Sequence, residues 1–74
     1  MQPRELRRMG TDELLRRLDD AYQEQFNLRR ALNLGRLEDH NRIEAVKRDI
    51  ARIKTILRER ELSAEMIRAG EEVQ

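Results

Sequence analysis

The sequence predicts an all-α fold, an antiparallel two-helix hairpin preceded by a short helical turn. Two apolar repeats with three- and four-residue spacing lie on either side of Gly35, the one strong stop signal inside the chain. Charged residues make up 42% of the 74 residues and aromatic residues 3%, a composition typical of long helices with a solvated surface and a thin core. Two long helices joined by a short turn pack antiparallel, so the two apolar stripes should face each other.

The first predicted element is a short helix over about residues 3–9. Pro3 suits its first turn because proline lacks an amide donor, and Gly10 suits its end. Thr11 can then cap a longer helix over about residues 12–33, with Asp12 near the positive end of the helix dipole. The first helix is therefore expected to be brief and the second to span about six turns.

The apolar stripe of this second predicted element runs from Leu14 to Leu32 and includes Leu15, Ala21 and Leu28. Its two aromatic residues, Tyr22 and Phe26, lie on or beside the stripe. An aromatic residue at this spacing is more often a core residue than a stacking platform for a base. We therefore expect both to be buried.

The chain is expected to turn over residues 34–40 and to form a further helix over about residues 41–62. Asn41 is a favourable helix start, with Glu44 at the spacing of a capping box. Together these elements form a single domain over residues 1–62, followed by an acidic tail over residues 63–74, which can extend the last helix by a turn or two before it frays. The predicted seam between the two long helices is heptad-like and comprises Leu14, Leu18, Tyr22, Leu32, Ile43, Val46, Ile50, Ile53 and Leu57.

Composition excludes several classes of protein and site. The chain has no cysteine, one histidine and no acidic cluster at ligand spacing near it, so neither a disulfide nor a metal site is expected, and no cofactor is implied. No run approaches the roughly 20 apolar residues of a membrane span, and the first residues do not resemble a signal peptide, so a cytoplasmic protein is expected. A core of this size is marginal alone, which predicts stabilisation by a partner.

The charge is segregated along the chain although the net charge is only +1. Residues 29–60 carry ten cations against five acids, whereas residues 11–28 carry two cations against five acids. At 100° per residue, Lys47, Lys54 and Arg58 lie on one flank of the apolar seam of the last predicted helix. Arg48 and Arg52 lie near the side of that helix opposite the seam. Fourteen of the sixteen cations are arginine, whose planar fork of donors matches phosphate geometry.

These cations have a simpler interpretation as well. Charged residues on helices usually form solvated faces with intrahelical pairs, such as Glu44 with Arg48. For the whole set we favour an anionic partner, because the basic block coincides with the turn and the last helix. Four arginines, Arg29, Arg30, Arg36 and Arg42, are expected at the turn end of the hairpin.

Two other classes of function remain open from the residues alone. An interaction module would use the heptad seam to homodimerise or to dock on a partner helix. An enzyme similar to small helical chorismate mutases would need cations from several helices around a desolvated pocket. No third long helix is predicted here, and His40 has no nucleophile or carboxylate pair arranged around it.

The stretches ELRRM, EQFNLR, GRLED and HNRIEAVKRDIARIKTILRERE resemble the bacterial large-subunit ribosomal protein twenty-nine family. The similarity covers about residues 4–62 and is strongest from Arg42 to Glu61. It implies a non-enzymatic two-helix hairpin that binds large-subunit ribosomal RNA near the polypeptide exit tunnel. It also implies a neighbour, large-subunit protein twenty-three, and a nearby docking area for ribosome-associated chaperones and the signal recognition particle, with no small-molecule substrate and no membrane.

The predicted RNA-binding residues combine the charge pattern with positions that match the family. Arg30, Ala31 and Arg36 stand where the family usually has other residues, and the added arginines favour phosphate contact. The full predicted set is Arg7, Arg8, Asn27, Arg29, Arg30, Arg36, Arg42, Lys47, Arg48, Arg52, Lys54 and Arg58.

Overall fold

The computed structural model describes residues 2–36 and 40–72, which form three helices and no strand. The helices are α1 (Pro3–Arg7), α2 (Thr11–Asn33) and α3 (Asn41–Glu72). α2 and α3 pack along each other, and α1 packs against α3. Their direction is antiparallel, because Thr11 at the start of α2 contacts Arg60 of α3 and Glu24 contacts Arg42. The predicted all-α hairpin with a short N-terminal helix is confirmed.

The start of α2 differs from the predicted cap. Gly10 is the capping residue and has an extended backbone, and its carbonyl oxygen accepts a hydrogen bond from the Leu14 amide at 3.0 Å. Thr11 is already helical and makes no side-chain cap. Its hydroxyl oxygen instead accepts a hydrogen bond from Nη1 of Arg60 at 3.0 Å. The prediction of Thr11 as cap is therefore wrong, because the helix begins one residue earlier.

α2 ends in a Schellman motif built on Gly35. Gly35 has a φ of 69°, in the left-handed region that glycine enters without steric cost. Its amide donates to the Leu32 carbonyl oxygen at 3.0 Å, and the Arg36 amide donates to the Ala31 carbonyl oxygen at 2.8 Å. The chain thus leaves the helix within the predicted turn over residues 34–40, of which residues 37–39 lie outside the described part.

The core consists of two clusters along the α2–α3 contact. Leu6 and Leu14 pack with Ile53 and Ile56 in one cluster, and Ala21 packs with Val46 and Ile50 in the other; Leu18, partly buried, touches both. Most of the predicted seam is buried or partly buried, namely Leu14, Leu18, Ile43, Val46, Ile50, Ile53 and Leu57.

Tyr22 and Phe26 correct the predicted core. Tyr22 is 40% exposed and Phe26 is 61% exposed, and Leu32 of the predicted seam is also 40% exposed. On an ideal helix Tyr22 and Phe26 lie about 80° and 120° around the axis from Leu14, outside the arc that one partner helix covers. Leu32 lies on the correct side, but it is in the last turn of α2, close to the connection between the two long helices and outside both core clusters.

Leu6 and Ile56 are buried although neither belongs to the predicted seam. α1 explains both, because it lies against α3 on the flank where Ile56 projects and inserts Leu6 there. α3 also continues ten residues past its predicted end at residue 62, to Glu72. Its 32 residues span about 48 Å, against about 34 Å for the 23 residues of α2, so the last turns of α3 extend beyond the hairpin.

Candidate nucleic-acid interface

A basic groove runs along one side of the α2–α3 contact. On one side it is lined by α2, through Tyr22, Gln25 and Arg29. On the other side it is lined by α3, through Lys47, Ile50, Ala51 and Lys54. Lys47 and Lys54 are two helical turns apart on α3, which sets their Cα atoms about 10 Å apart along the helix axis. Both project toward the side of the hairpin that carries Arg29.

The basic groove concentrates positive charge. Three of its seven described lining residues are cations and none is an acid. Nζ of Lys54 lies 5.4 Å from the ring centroid of Tyr22, so the exposed tyrosine contributes a cation–π contact that holds the ammonium group beside the groove. An anion that enters here meets cations from both helices and no carboxylate among the described lining residues.

The opposite side of the same helix pair has the opposite charge. A second groove there, the acidic groove, is lined by Asp20, Glu24 and Asp49 together with Arg17, Ala21 and Val46. Arg42 also turns to this side, with its Nη2 2.9 Å and its Nε 3.1 Å from Oε1 of Glu24. The hairpin therefore separates charge across its width, which the linear sequence does not display.

A third groove lies where α1 packs on α3, on the far side of Ala51. We call it the α1 groove; it is lined by Pro3, Arg7, Ala51, Arg52, Thr55 and Ile56. Like the basic groove, it has cations and no acid among its described lining residues. Ala51 lines both, so the two positively charged grooves meet at this exposed small residue.

The predicted RNA-binding residues fall into three groups. The grooves collect five of them, Arg29, Lys47 and Lys54 in the basic groove and Arg7 and Arg52 in the α1 groove. Arg42 is the exception, because it pairs with Glu24 on the acidic side and so does not join Arg29 at a common tip. The remaining members are exposed but line neither groove: Arg8, Asn27, Arg30, Arg36, Arg48 and Arg58.

The ion pairs of Lys47, Arg58 and Arg7 are weak. Nζ of Lys47 lies 3.4 Å from Oε1 of Glu44, and Nη1 of Arg58 lies 3.2 Å from Oε2 of Glu61. Nη2 of Arg7 lies 3.8 Å from Oε1 of Glu59. All six side chains are about half exposed or more, and exposed pairs of this kind contribute little to stability. The cations can therefore exchange a carboxylate for a phosphate at small cost.

Sequence reasoning missed three residues that shape this region. Ala51 lines both positively charged grooves and Thr55 lines the α1 groove; both are exposed, and the helical angles of the cations beside them could have identified this strip. Arg60 was not singled out, yet its guanidinium donates to Thr11 Oγ1 at 3.0 Å and to the carbonyl oxygens of Met9 at 2.6 Å and Arg7 at 3.4 Å. It joins the end of α1 and the start of α2 to α3.

Apolar side chains are exposed at the far end of α3. Leu62 is 43% exposed, Ile67 66% and Met66 75%. They follow Arg60, which contacts the start of α2, and Ile67 lines a shallow groove that also includes Arg7 of α1. Such a group is suited to contact with a protein surface.

The described residues meet the requirements of neither a metal site nor a membrane-spanning helix. No group of three or more histidine, cysteine, aspartate or glutamate side chains within the described ranges is placed to hold a metal ion. None of the helices in those ranges is both long and apolar enough to cross a membrane.

Comparison with known proteins gives a consistent family. A family model described as ribosomal L29 protein matches residues 4–60. The large ribosomal subunit protein uL29 of Streptomyces coelicolor is 51% identical over 66 residues, which cover 89% of each chain. The protein of the same name from Mycobacterium sp. (strain KMS) is 46% identical over 70 residues, covering 95% of this chain and 91% of the relative.

Proposed function

This chain belongs to the ribosomal protein L29 family, and from that membership and its charge distribution we infer that it binds large-subunit ribosomal RNA through the basic groove. As a member of the family it is a structural, non-enzymatic constituent of the large ribosomal subunit, located on the ribosome in the cytoplasm. The enzyme alternative is thereby excluded. The RNA contact and its location on the hairpin are the parts that we propose.

The observation that carries the proposal is the separation of charge across the hairpin. Arg29, Lys47 and Lys54 line one groove that has no acid among its described residues, while Asp20, Glu24 and Asp49 line the groove on the opposite side. A helix pair that needed charge only for solubility would mix both signs on each side. The asymmetry instead favours one orientation toward a polyanion.

Phosphate neutralisation supplies most of the binding free energy in this proposal. Each cation that contacts a phosphate releases condensed counterions, so the affinity falls steeply with salt. The RNA also stabilises the hairpin, because a partner that binds only the folded chain shifts the folding equilibrium toward it. Binding to RNA therefore supplies stability to a fold with a small core, in which Leu6, Leu14 and Ile53 are the largest fully buried side chains among the described residues.

Salt-dependent co-sedimentation tests the proposal. The purified chain is mixed with large subunits that lack it, and the bound fraction is measured over a salt titration. We expect the logarithm of the binding constant to fall linearly with the logarithm of salt, by about 0.7–0.9 per phosphate contact. Binding that does not change with salt would refute the phosphate mechanism.

We further propose that the chain lies near the polypeptide exit tunnel, beside large-subunit protein twenty-three, and contributes to the docking area for chaperones and the signal recognition particle. The family resemblance supports this location. The exposed Leu62, Met66 and Ile67 at the end of α3 support a protein neighbour rather than RNA at that end, because apolar side chains gain little from a phosphate surface.

A photocrosslinking residue at position 66 tests this location in assembled ribosomes. We expect a crosslink to a ribosomal protein or to a docked factor, identified by mass spectrometry. A crosslinking residue at Asn27, which is exposed on α2, is the matched control and should give a different partner. Crosslinks to RNA alone from position 66 would contradict the assignment of this end to protein contact.

A further inference from the structure

We propose that the exposed face of α3 centred on Ala51 lies against the minor groove of a double-helical RNA segment, with the two flanking grooves each holding one strand of its backbone. The proposal rests on the RNA-binding function and specifies the form of RNA that this face accepts. Its basis is the junction of two positively charged grooves at one small residue.

The cations of the two grooves point to opposite flanks of α3. Lys47 and Arg52 differ by about 140° around the helix axis, with Ala51 between them. Since a helix with side chains is about 10–12 Å across, their charged groups are separated by about 10 Å or more. A single RNA strand laid along one groove leaves the other unoccupied, whereas two strands that run on either side of a shallow surface engage both.

The side chains are short on the turn of α3 where the two grooves meet. Ala51 and Thr55 are exposed at positions where this highly charged chain commonly carries long side chains. The Thr55 hydroxyl donates to the Ala51 carbonyl oxygen at 2.8 Å, which holds that side chain against the helix. The helix backbone can therefore approach a ligand closely over this one turn, between the exposed side chains of Arg48 and Arg58.

A-form RNA presents a complementary shape. Its minor groove is wide and shallow, displays ribose 2′-hydroxyls, and is bordered by one backbone on each side. A narrow helix face with a low centre and cations on both edges matches that surface. The Thr55 oxygen retains acceptor capacity toward a 2′-hydroxyl, and recognition would follow shape and backbone rather than base sequence.

Directed hydroxyl-radical probing tests the arrangement. The chain has no cysteine, so Ala51→Cys creates a single attachment point for an iron chelate. In assembled large subunits we expect two clusters of cleavage, one on each strand of a single RNA helix. Ala69→Cys, an exposed position about 27 Å further along α3, is the control, and its cleavage should fall elsewhere or be absent.

An affinity measurement covers the case in which the chelate blocks assembly. Ala51→Leu keeps helix propensity but raises the centre of the face, and we expect at least about tenfold weaker binding to large-subunit RNA, with Ala69→Leu within about twofold of the parent chain. Cleavage confined to one strand or to unpaired RNA would overturn the inference, and so would unchanged binding by Ala51→Leu. The proposed RNA-binding function would still stand in either case if binding of the parent chain remained sensitive to salt. Absence of RNA binding by the parent chain would overturn both.

Discussion

Nη2 of Arg60 lies 2.6 Å from the carbonyl oxygen of Met9, and this contact ties α3 to the segment that joins α1 to α2. The same guanidinium also donates to Thr11 Oγ1 and to the Arg7 carbonyl oxygen. One half-buried side chain therefore satisfies acceptors at the end of one helix and the beginning of the next. It lies at the end of the hairpin away from the turn, where the helix pair would otherwise be open.

Replacing this side chain should destabilise the whole fold. For Arg60→Ala we expect a loss of about 1–3 kcal/mol, because three acceptors lose a charged donor. Thermal unfolding followed by circular dichroism should show a lower midpoint, by about 4–8 °C per kcal/mol for a chain of this size. Arg60→Lys should lose less, and Arg16→Ala, an exposed control on α2, should change little. Equal effects of Arg60→Ala and Arg16→Ala would contradict the tether.

The charge asymmetry of the hairpin predicts unequal effects of matched substitutions. Lys47→Gln with Lys54→Gln removes two cations from the basic groove, whereas Arg16→Gln with Arg17→Gln removes two from the other side of α2. We expect the first pair to weaken RNA association more and to reduce the slope of the salt titration by about two contacts. If both pairs weakened binding equally, the interface would not lie on the basic groove.

The conformation of Gly35 predicts a purely backbone effect. A Cβ at this position would meet no atom within 4 Å, so Gly35→Ala introduces no clash. The φ of 69° nevertheless disfavours alanine, and we expect a loss of roughly 1–2 kcal/mol in the free energy of unfolding. Gly35→Asn should cost less, since asparagine tolerates this region. Urea titration measures both, and an Ala variant as stable as the parent would exclude the left-handed turn.

Burial reverses the expected roles of two apolar positions, Ile56 on α3 and Phe26 on α2. Ile56 is 3% exposed and Phe26 is 61% exposed. We expect Ile56→Val to cost about 0.5–1.5 kcal/mol and Phe26→Ala to stay within about 0.5 kcal/mol, both measured by urea unfolding. A larger loss for Phe26→Ala than for Ile56→Val would mean that the aromatic ring belongs to the core after all.

The seam of α3 could be predicted because it depends only on local periodicity. Ile43, Val46, Ile50 and Ile53 recur at three- and four-residue intervals, and this spacing fixes one face whatever partner covers it. The burial of Ile56 could not be predicted in this way. It depends on α1, a helix of five residues whose packing against α3 brings together residues some fifty positions apart.

The failed expectation for Tyr22 and Phe26 has a related cause. Apolar spacing marks a broad stripe on α2, but a single partner helix covers only part of its width, and the sequence does not state which part. The candidate interface was likewise only partly predictable. Helical angles alone predict that Lys47 and Lys54 lie on the same side of α3. The position of Arg42 on the opposite side could not be predicted in this way, because it depends on the contact of Arg42 with Glu24 of α2.

The cluster that buries Leu6 and Leu14 has a consequence for the order in which the chain is made and folded. Its other members, Ile53 and Ile56, are synthesised last among the core residues. A growing chain that emerges N-terminus first can form α2 early, yet it cannot bury these leucines until Ile53 and Ile56 have emerged. The complete hairpin, and the surface that it presents to RNA, can therefore form only after the middle of α3 has been made.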